Sequence, residues 1–146
     1  MNGWSSDTAP IANAIAIFLA ASSIPMASIG CELPRDAGAA RDEVRIEASG
    51  DVRIAYRTDP SGLAVDRHFA LLIRACADEP VTQLSVDAHM PDHRHGMNYK
   101  PAISRIGADA WRADGLLFHM PGKWELVFAV ASAQGIRRVA HTVIVR

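Results

Sequence analysis

The strongest constraint on the fold is an alternation of apolar and polar residues that recurs between turn signals. It is clearest in the segments 44–48, 84–90 and 124–130, where every second side chain is apolar. Residues typical of turns, such as those at 59–62 and 132–135, separate segments of this kind. Because successive side chains of a strand point to opposite faces, the pattern predicts strands with one buried face.

The spacing of these segments predicts a fold class. About seven short strands at intervals of about 8–12 residues, without a segment of helical period, are typical of a sandwich. We therefore predict an all-β fold, an immunoglobulin-like (cupredoxin-like) β-sandwich of about seven strands, over residues 44–146. The segment from Trp111 to Met120 is predicted to be one strand with a kink or bulge at Gly115. A net charge of −1 without a basic run argues against a nucleic-acid partner.

The N-terminal segment differs from the rest of the chain. Residues 1–30 contain no Lys or Arg, and an apolar run from Ile11 to Ile24 precedes small residues. This layout predicts a secretory signal peptide, and the run is shorter than the ~18 residues of a membrane span. An uncleaved anchor helix is the alternative. We expect export to the periplasm or the outer face of a bacterial membrane, with residues 31–43 as a flexible tether.

The sequence leaves the chemical state of the two cysteines open. Gly30-Cys31 is similar to the end of a lipoprotein signal, which would attach a lipid anchor to Cys31. In an oxidising compartment, Cys31 and Cys76 could instead form a disulfide. For Cys76, which ends an apolar run, the favoured interpretation is a buried free thiol that acts as a small hydrophobic residue. A metal-binding thiolate is the minor alternative.

The chemistry-bearing residues concentrate in two short segments. Three histidines and two methionines fall within residues 89–97, and His119-Met120-Pro121-Gly122 repeats the first three letters of that stretch. From Cys31 onwards, every methionine and four of the six histidines lie in these segments. Methionine normally fills gaps throughout a core, so this concentration points to a site.

Strand phase predicts how the two segments meet. Met90 and Met120 continue buried faces, His89 and His119 point the other way, and each pair precedes a proline. If both strands end at one pole of the sandwich, the pairs converge there and the loop with His95 closes over them. Gly96 would give that loop a positive φ.

The residue types indicate copper. Thioether sulfur is a soft ligand and imidazole a borderline one, a combination that suits Cu(I), whereas zinc prefers Cys and His, and calcium prefers oxygen. The predicted ligands are His89, Met90, His93, His95, Met97, His119 and Met120. His68 and His141 are predicted to be structural. Alternatively, Met90 and Met120 belong to the core and the motif histidines are ordinary exposed residues.

Two blocks also resemble a known group of proteins. The block from Met90 to Met97, Met-Pro-x-His-x-His-Gly-Met, and the block from Met120 to Trp124, Met-Pro-Gly-x-Trp, resemble YtkA-like and FixH-like proteins. These are small exported or membrane-tethered β-sandwich proteins, and the resemblance covers residues 65–146. It implies an immunoglobulin-like fold and copper handling near respiratory oxidases, with another envelope copper protein or an oxidase assembly factor as partner.

Together these observations predict a non-enzymatic, copper-binding protein of the cell envelope that buffers or delivers Cu(I). The alternative is a metal-free β-sandwich interaction module whose end loops bind a partner. No Ser-His-Asp or Cys-His set is apparent in the sequence, so we do not expect an enzyme.

Overall fold

The computed structural model describes residues 30, 31, 33, 44–47 and 50–146. The predicted signal segment up to residue 29, and most of the predicted tether, lie outside these residues. Within the described part there is no helix, and hence none that is long and apolar enough to cross a membrane.

The described residues form nine strands, which confirms the all-β prediction. Their bounds are β1 Val44–Glu47, β2 Arg53–Asp59, β3 Phe69–Cys76, β4 Gln83–Met90, β5 His95–Gly96, β6 Ala102–Arg105, β7 Ala110–Leu116, β8 Gly122–Ser132 and β9 Gly135–Val145. The number exceeds the predicted seven, and β5 in particular has only two residues, too few for an alternation to be recognised.

Two antiparallel sheets make the sandwich. One has the strand order β1-β2-β3-β7-β6, and the other has the order β5-β4-β8-β9. The end of β4, the start of β5 and the start of β8 meet at one end, and the short connection 117–121 brings the end of β7 there. We call this end, with the loop 91–101 and the connection 117–121, the His/Met pole.

Alternating side chains fill the space between the sheets. In β8, Trp124, Leu126 and Phe128 are fully buried, while the residues between them are half-buried. Ile54 and Leu71 of the other sheet are buried in the same core. Each such side chain contributes about 1.5–3 kcal/mol by leaving water, so the alternation read from the sequence accounts for the core.

The strand predicted from Trp111 to Met120 is shorter than expected. The register of β3 on β7 shifts between Phe69 and Leu71, and Gly115 has a φ of 84°, which confirms the irregularity predicted there. The continuation to Met120 is wrong, because β7 ends at Leu116. The following residues cannot extend that strand, since they must cross to β8 in the opposite sheet.

The described cysteines are joined to each other. Cys31 and Cys76 form a disulfide across a sequence separation of 45, so the favoured prediction of a free Cys76 thiol is wrong. Cys76 pairs with Arg53 at the start of β2, which places the disulfide at the end of the sandwich opposite the His/Met pole. Cys31 and Leu33 are buried there. A sulfur in this disulfide cannot at the same time carry a lipid.

A buried hydrogen bond joins the two sheets. The Tyr56 hydroxyl of β2 lies 2.7 Å from Nδ1 of His141 on β9. Burial raises the pKa of the Tyr56 phenol above its ordinary value and lowers the pKa of His141. The phenol therefore stays protonated and donates to a neutral imidazole, which is a structural use of His141.

We expect removal of the disulfide to destabilise the fold. In the chain-entropy treatment, a loop of this separation contributes about 4 kcal/mol to the free energy of unfolding. Urea denaturation with and without reductant measures the effect, and the Cys31→Ser/Cys76→Ser variant, which reductant cannot change, is the control. Equal stability of the natural chain in both conditions would contradict the bond.

We also expect a pH dependence that comes from His141. Because its pKa is lower in the folded chain, the unfolded chain binds more protons below about pH 6.5, and stability falls as the pH drops. His141→Gln keeps an acceptor for Tyr56 but cannot titrate. The Tm of this variant minus the Tm of the natural chain, both measured by circular dichroism, should increase as the pH falls from about 7 to about 5. A constant difference in Tm over this range would refute the assignment.

Candidate metal site

A tight turn positions the first segment of the candidate site. Proline has no amide for the ladder, and β4 ends at Met90, just before Pro91. The Met90 carbonyl then accepts hydrogen bonds from the amides of His93, at 3.2 Å, and Arg94, at 2.9 Å. The positive φ of this turn is at Arg94, so the positive φ expected at Gly96 is wrong.

Gly96 has a different physical reason. It lies in β5, opposite His89, and a Cβ added to it would come within 3.0 Å of the Ala88 carbonyl oxygen. The absence of a side chain lets β5 approach β4 closely. The resulting register pairs Met90 with His95, so the turn returns His95 to the inner face that Met90 occupies.

The imidazole rings of the two segments meet at the His/Met pole. The ring centroids of His95 and His119 are 5.2 Å apart, and those of His93 and His95 are 5.8 Å apart. An ion bonded at ~2 Å to an imidazole nitrogen lies roughly 3 Å from the ring centroid, so rings that share one ion are up to about 6 Å apart. Both pairs satisfy this condition, and the loop with His95 meets the connection that carries His119.

Trp124 forms the inner wall of the site. Its ring lies 5.3 Å from the ring of His119 and 5.9 Å from that of His95, roughly perpendicular to both. Its Nε1 donates to the Met120 carbonyl at 3.0 Å, and Phe118 packs against it at 4.8 Å. Trp124 was not among the predicted site residues, although its position in the block Met-Pro-Gly-x-Trp was a signal.

His95 has an unsatisfied nitrogen. Its Nδ1 is buried and has no hydrogen-bond partner among the described residues. A buried polar atom without a partner costs about 1–3 kcal/mol, so such an atom needs an explanation. A lone pair available to a ligand is the explanation that fits the neighbouring imidazoles.

The three methionines among the predicted ligands have different surroundings. Met97 and Met120 are half-buried at the rim of the core. Met90 is 2% exposed, and its methyl carbon lies 2.7 Å from where a Cβ on Gly122 would be. Met90 therefore belongs to the core beneath the pole, whereas the other two lie at its surface.

His89 is separated from the other predicted ligands. It points to the face of the sheet opposite to that of Met90 and His95, and its Nε2 lies 3.4 Å from Oε1 of Glu125. His68, predicted to be structural, is exposed, with its ring 6.3 Å from that of Tyr99. The seven predicted ligands thus divide into five at the pole, one in the core and one on the outer face.

The arrangement limits the kind of ion that it can hold. Among the described residues, no group of three or more His, Cys, Asp or Glu side chains is arranged around one point. The nearby carboxylate of Asp92 is exposed and lies 3.7 Å from Lys123 Nζ. An ion between the imidazoles of His95 and His119 would therefore need further donors of another type, and the remaining predicted ligands that lie half-buried at the pole are Met97 and Met120.

Comparison of the chain with protein-family models, curated proteins and solved structures finds no match. The resemblance to YtkA-like and FixH-like proteins stays a prediction.

We expect Gly122→Ala to destabilise the pole more than a substitution at a comparable glycine. Gly122 and Gly135 both have a positive φ, 131° and 108°, but only the Cβ at Gly122 would meet Met90. Each change should cost about 1–2 kcal/mol through the backbone, and Gly122→Ala about 1 kcal/mol more through overpacking.

Urea denaturation measures both variants. In a Met90→Ala background, the additional cost of Gly122→Ala should vanish, because the obstructing methyl group is gone. An additional cost that persists in that background would show that Met90 is not packed against Gly122.

Proposed function

We propose that this protein is a non-enzymatic copper-binding protein of the cell envelope that buffers or delivers Cu(I). Copper is its cargo, bound through imidazole and thioether side chains at the His/Met pole. The observation that carries the proposal is His95: its buried Nδ1 has no hydrogen-bond partner among the described residues, and its ring lies 5.2 Å from the ring of His119 of a distant segment.

The donor set supports a soft monovalent ion. Two neutral imidazoles and thioethers bring no negative charge, and the low number of ligands suits Cu(I) better than ions that need four or more. Structural zinc is held by four Cys or His ligands, and Ca²⁺ by six or more oxygens, which these residues do not offer.

We assign the ligand roles unequally among the predicted residues. His95 and His119 are the principal ligands, with Met97 and Met120 as the sulfur donors. Nδ1 of His95 is buried and has no hydrogen-bond partner in the part of the chain that the structure describes, so we assign it as the coordinating nitrogen. Metal-binding histidines nearly always donate their second ring nitrogen to a partner, a role that this assignment leaves to Nε2.

The disulfide supports an extracytoplasmic location. Disulfides persist in oxidising compartments such as the bacterial periplasm and are rare in the cytosol. We propose that the protein acts in the periplasm or at the outer face of a bacterial membrane, with Cys31 paired to Cys76. The acceptor of its copper would be another envelope copper protein or an oxidase assembly factor, as the YtkA-like resemblance implies.

A metal-free interaction module is the second candidate. Tyr99 in the loop of the His/Met pole is 42% exposed, and exposed aromatic rings are frequent at protein interfaces. The two candidates differ in their response to the ion. Only a copper-binding protein gains stability from Cu(I), by an amount that grows with ligand concentration over Kd.

We expect Cu(I) to bind with one-to-one stoichiometry in an anaerobic competition titration against bicinchoninate. His95→Ala/His119→Ala should weaken binding by about 100-fold or more, which is about 2.7 kcal/mol. Met97→Leu/Met120→Leu, which preserves volume, should weaken it by about tenfold or more. His89→Ala should bind like the natural chain, because its side chain points away from the site.

Two outcomes would contradict the proposal. Unchanged affinity in the double histidine variant would remove the site from the pole. No binding and no shift of Tm with Cu(I) in the natural chain would favour the interaction module.

A further inference from the structure

We propose that His93 is the exchange ligand through which Cu(I) enters and leaves the pair formed by His95 and His119. The partner that takes the ion would be a protein offering soft sulfur ligands, thiolate or thioether. This inference rests on the proposed copper function and adds a direction of transfer to it.

Burial increases stepwise from His93 inward. His93 is exposed, His95 is half-buried with its Nδ1 fully buried, and Trp124 behind them is 0% exposed. Trp124 and Phe118 close the inner side of the imidazole pair, since their rings pack against each other at 4.8 Å. A donor atom from another protein must therefore approach from the side of His93.

The distances allow His93 to take over the ion from its neighbour. Its ring centroid is 5.8 Å from that of His95, within the roughly 6 Å at which two imidazoles can share one ion. It does not form a three-residue group with His95 and His119, because no such group exists among the described residues. His93 is thus close enough to bind in a transfer step without being a resident ligand.

His93 is also held in place rather than free at a loop tip. Its amide donates to the Met90 carbonyl at 3.2 Å, within the turn that Arg94 completes with a φ of 55°. Beside it, Asp92 lies 3.7 Å from Lys123 at the start of β8. The turn thus fixes the backbone of His93, whose ring lies 5.8 Å from that of His95.

The transfer is a sequence of ligand substitutions. A bond from a His93 ring nitrogen to copper forms as the His119 bond breaks, and a bond from a first sulfur of the partner forms as the His95 bond breaks. The His93 bond and the thioether bonds break last, as a second sulfur of the partner binds. Copper remains Cu(I) throughout, and no electron is transferred. A thioether or thiolate donor releases no proton, whereas a thiol releases its proton to the solvent as its sulfur binds copper.

The test separates affinity from the rate of transfer. The acceptor probe is a short peptide with a Cys-x-x-Cys motif, mixed in excess with the Cu(I)-loaded protein by anaerobic stopped flow. We expect His93→Ala to keep its Cu(I) affinity within about threefold while transfer slows by about tenfold or more. His68→Ala, which removes another exposed histidine, one whose ring lies 6.3 Å from that of Tyr99 in the loop 91–101, is the matched control and should leave both quantities unchanged.

A ligand role is distinguished from a structural one by two further variants. His93→Met supplies a soft donor and should restore the transfer rate, whereas His93→Asn keeps a polar side chain but should remain slow. Circular dichroism spectra and thermal melting curves verify that all variants fold alike.

Each result has a defined meaning. A transfer rate unchanged in His93→Ala overturns the inference and leaves the copper function intact. An affinity loss in His93→Ala as large as that of His95→Ala also overturns it, because His93 would then be a resident ligand. Absence of Cu(I) binding in the natural chain overturns both proposals.

Discussion

The arrangement of the His/Met pole depends on the burial of Trp124 at the start of β8. The indole is fully enclosed, packs against Phe118, and donates its one N–H to the Met120 carbonyl. This contact holds the connection 117–121 over the end of the core, as the chain crosses from one sheet to the other. From the other sheet, the Asp66 amide donates to the Phe118 carbonyl at 2.8 Å and the Phe69 ring lies 5.0 Å from that of Phe118, so the connection is held on both sides.

The second half of the pole is built independently, by the turn after β4. Pro91 ends the strand, and the Met90 carbonyl accepts hydrogen bonds from two amides of the turn. This reverses the chain within a few residues and pairs His95 with Met90. Two unrelated local structures thus deliver one imidazole each to the same wall of Trp124. This pair of imidazoles from two segments is the geometry on which the proposal of a Cu(I) site rests.

Much of the fold was predictable from the sequence, because alternation reports which side of a strand is buried. β4 and β8 have the buried faces that their letters predict, and the irregularity at Gly115 is present. The site was predicted less completely. Alternation gives the two faces of one strand but not the register between strands, which is set by turn length. The separation of His89 from His95 follows from such a register and was missed.

Long-range packing explains the other differences. β7 ends at Leu116 because the chain then crosses to the other sheet, and the local amino-acid sequence does not encode that crossing. The disulfide joins Cys76 to a residue 45 positions away, so spacing left the fate of both cysteines open. The buried Nδ1 of His95 is likewise invisible in sequence, since it depends on which neighbours surround that ring.

Copper K-edge X-ray absorption on the Cu(I)-loaded protein tests most directly whether both segments supply ligands. A two-segment Met/His site predicts a Cu(I) edge with a mixed first shell, imidazole nitrogen at about 2.0 Å and sulfur at about 2.3 Å. The imidazole scattering should disappear in His95→Ala/His119→Ala. A shell of oxygen, or a spectrum that this double variant leaves unchanged, would contradict a two-segment Met/His site at this pole.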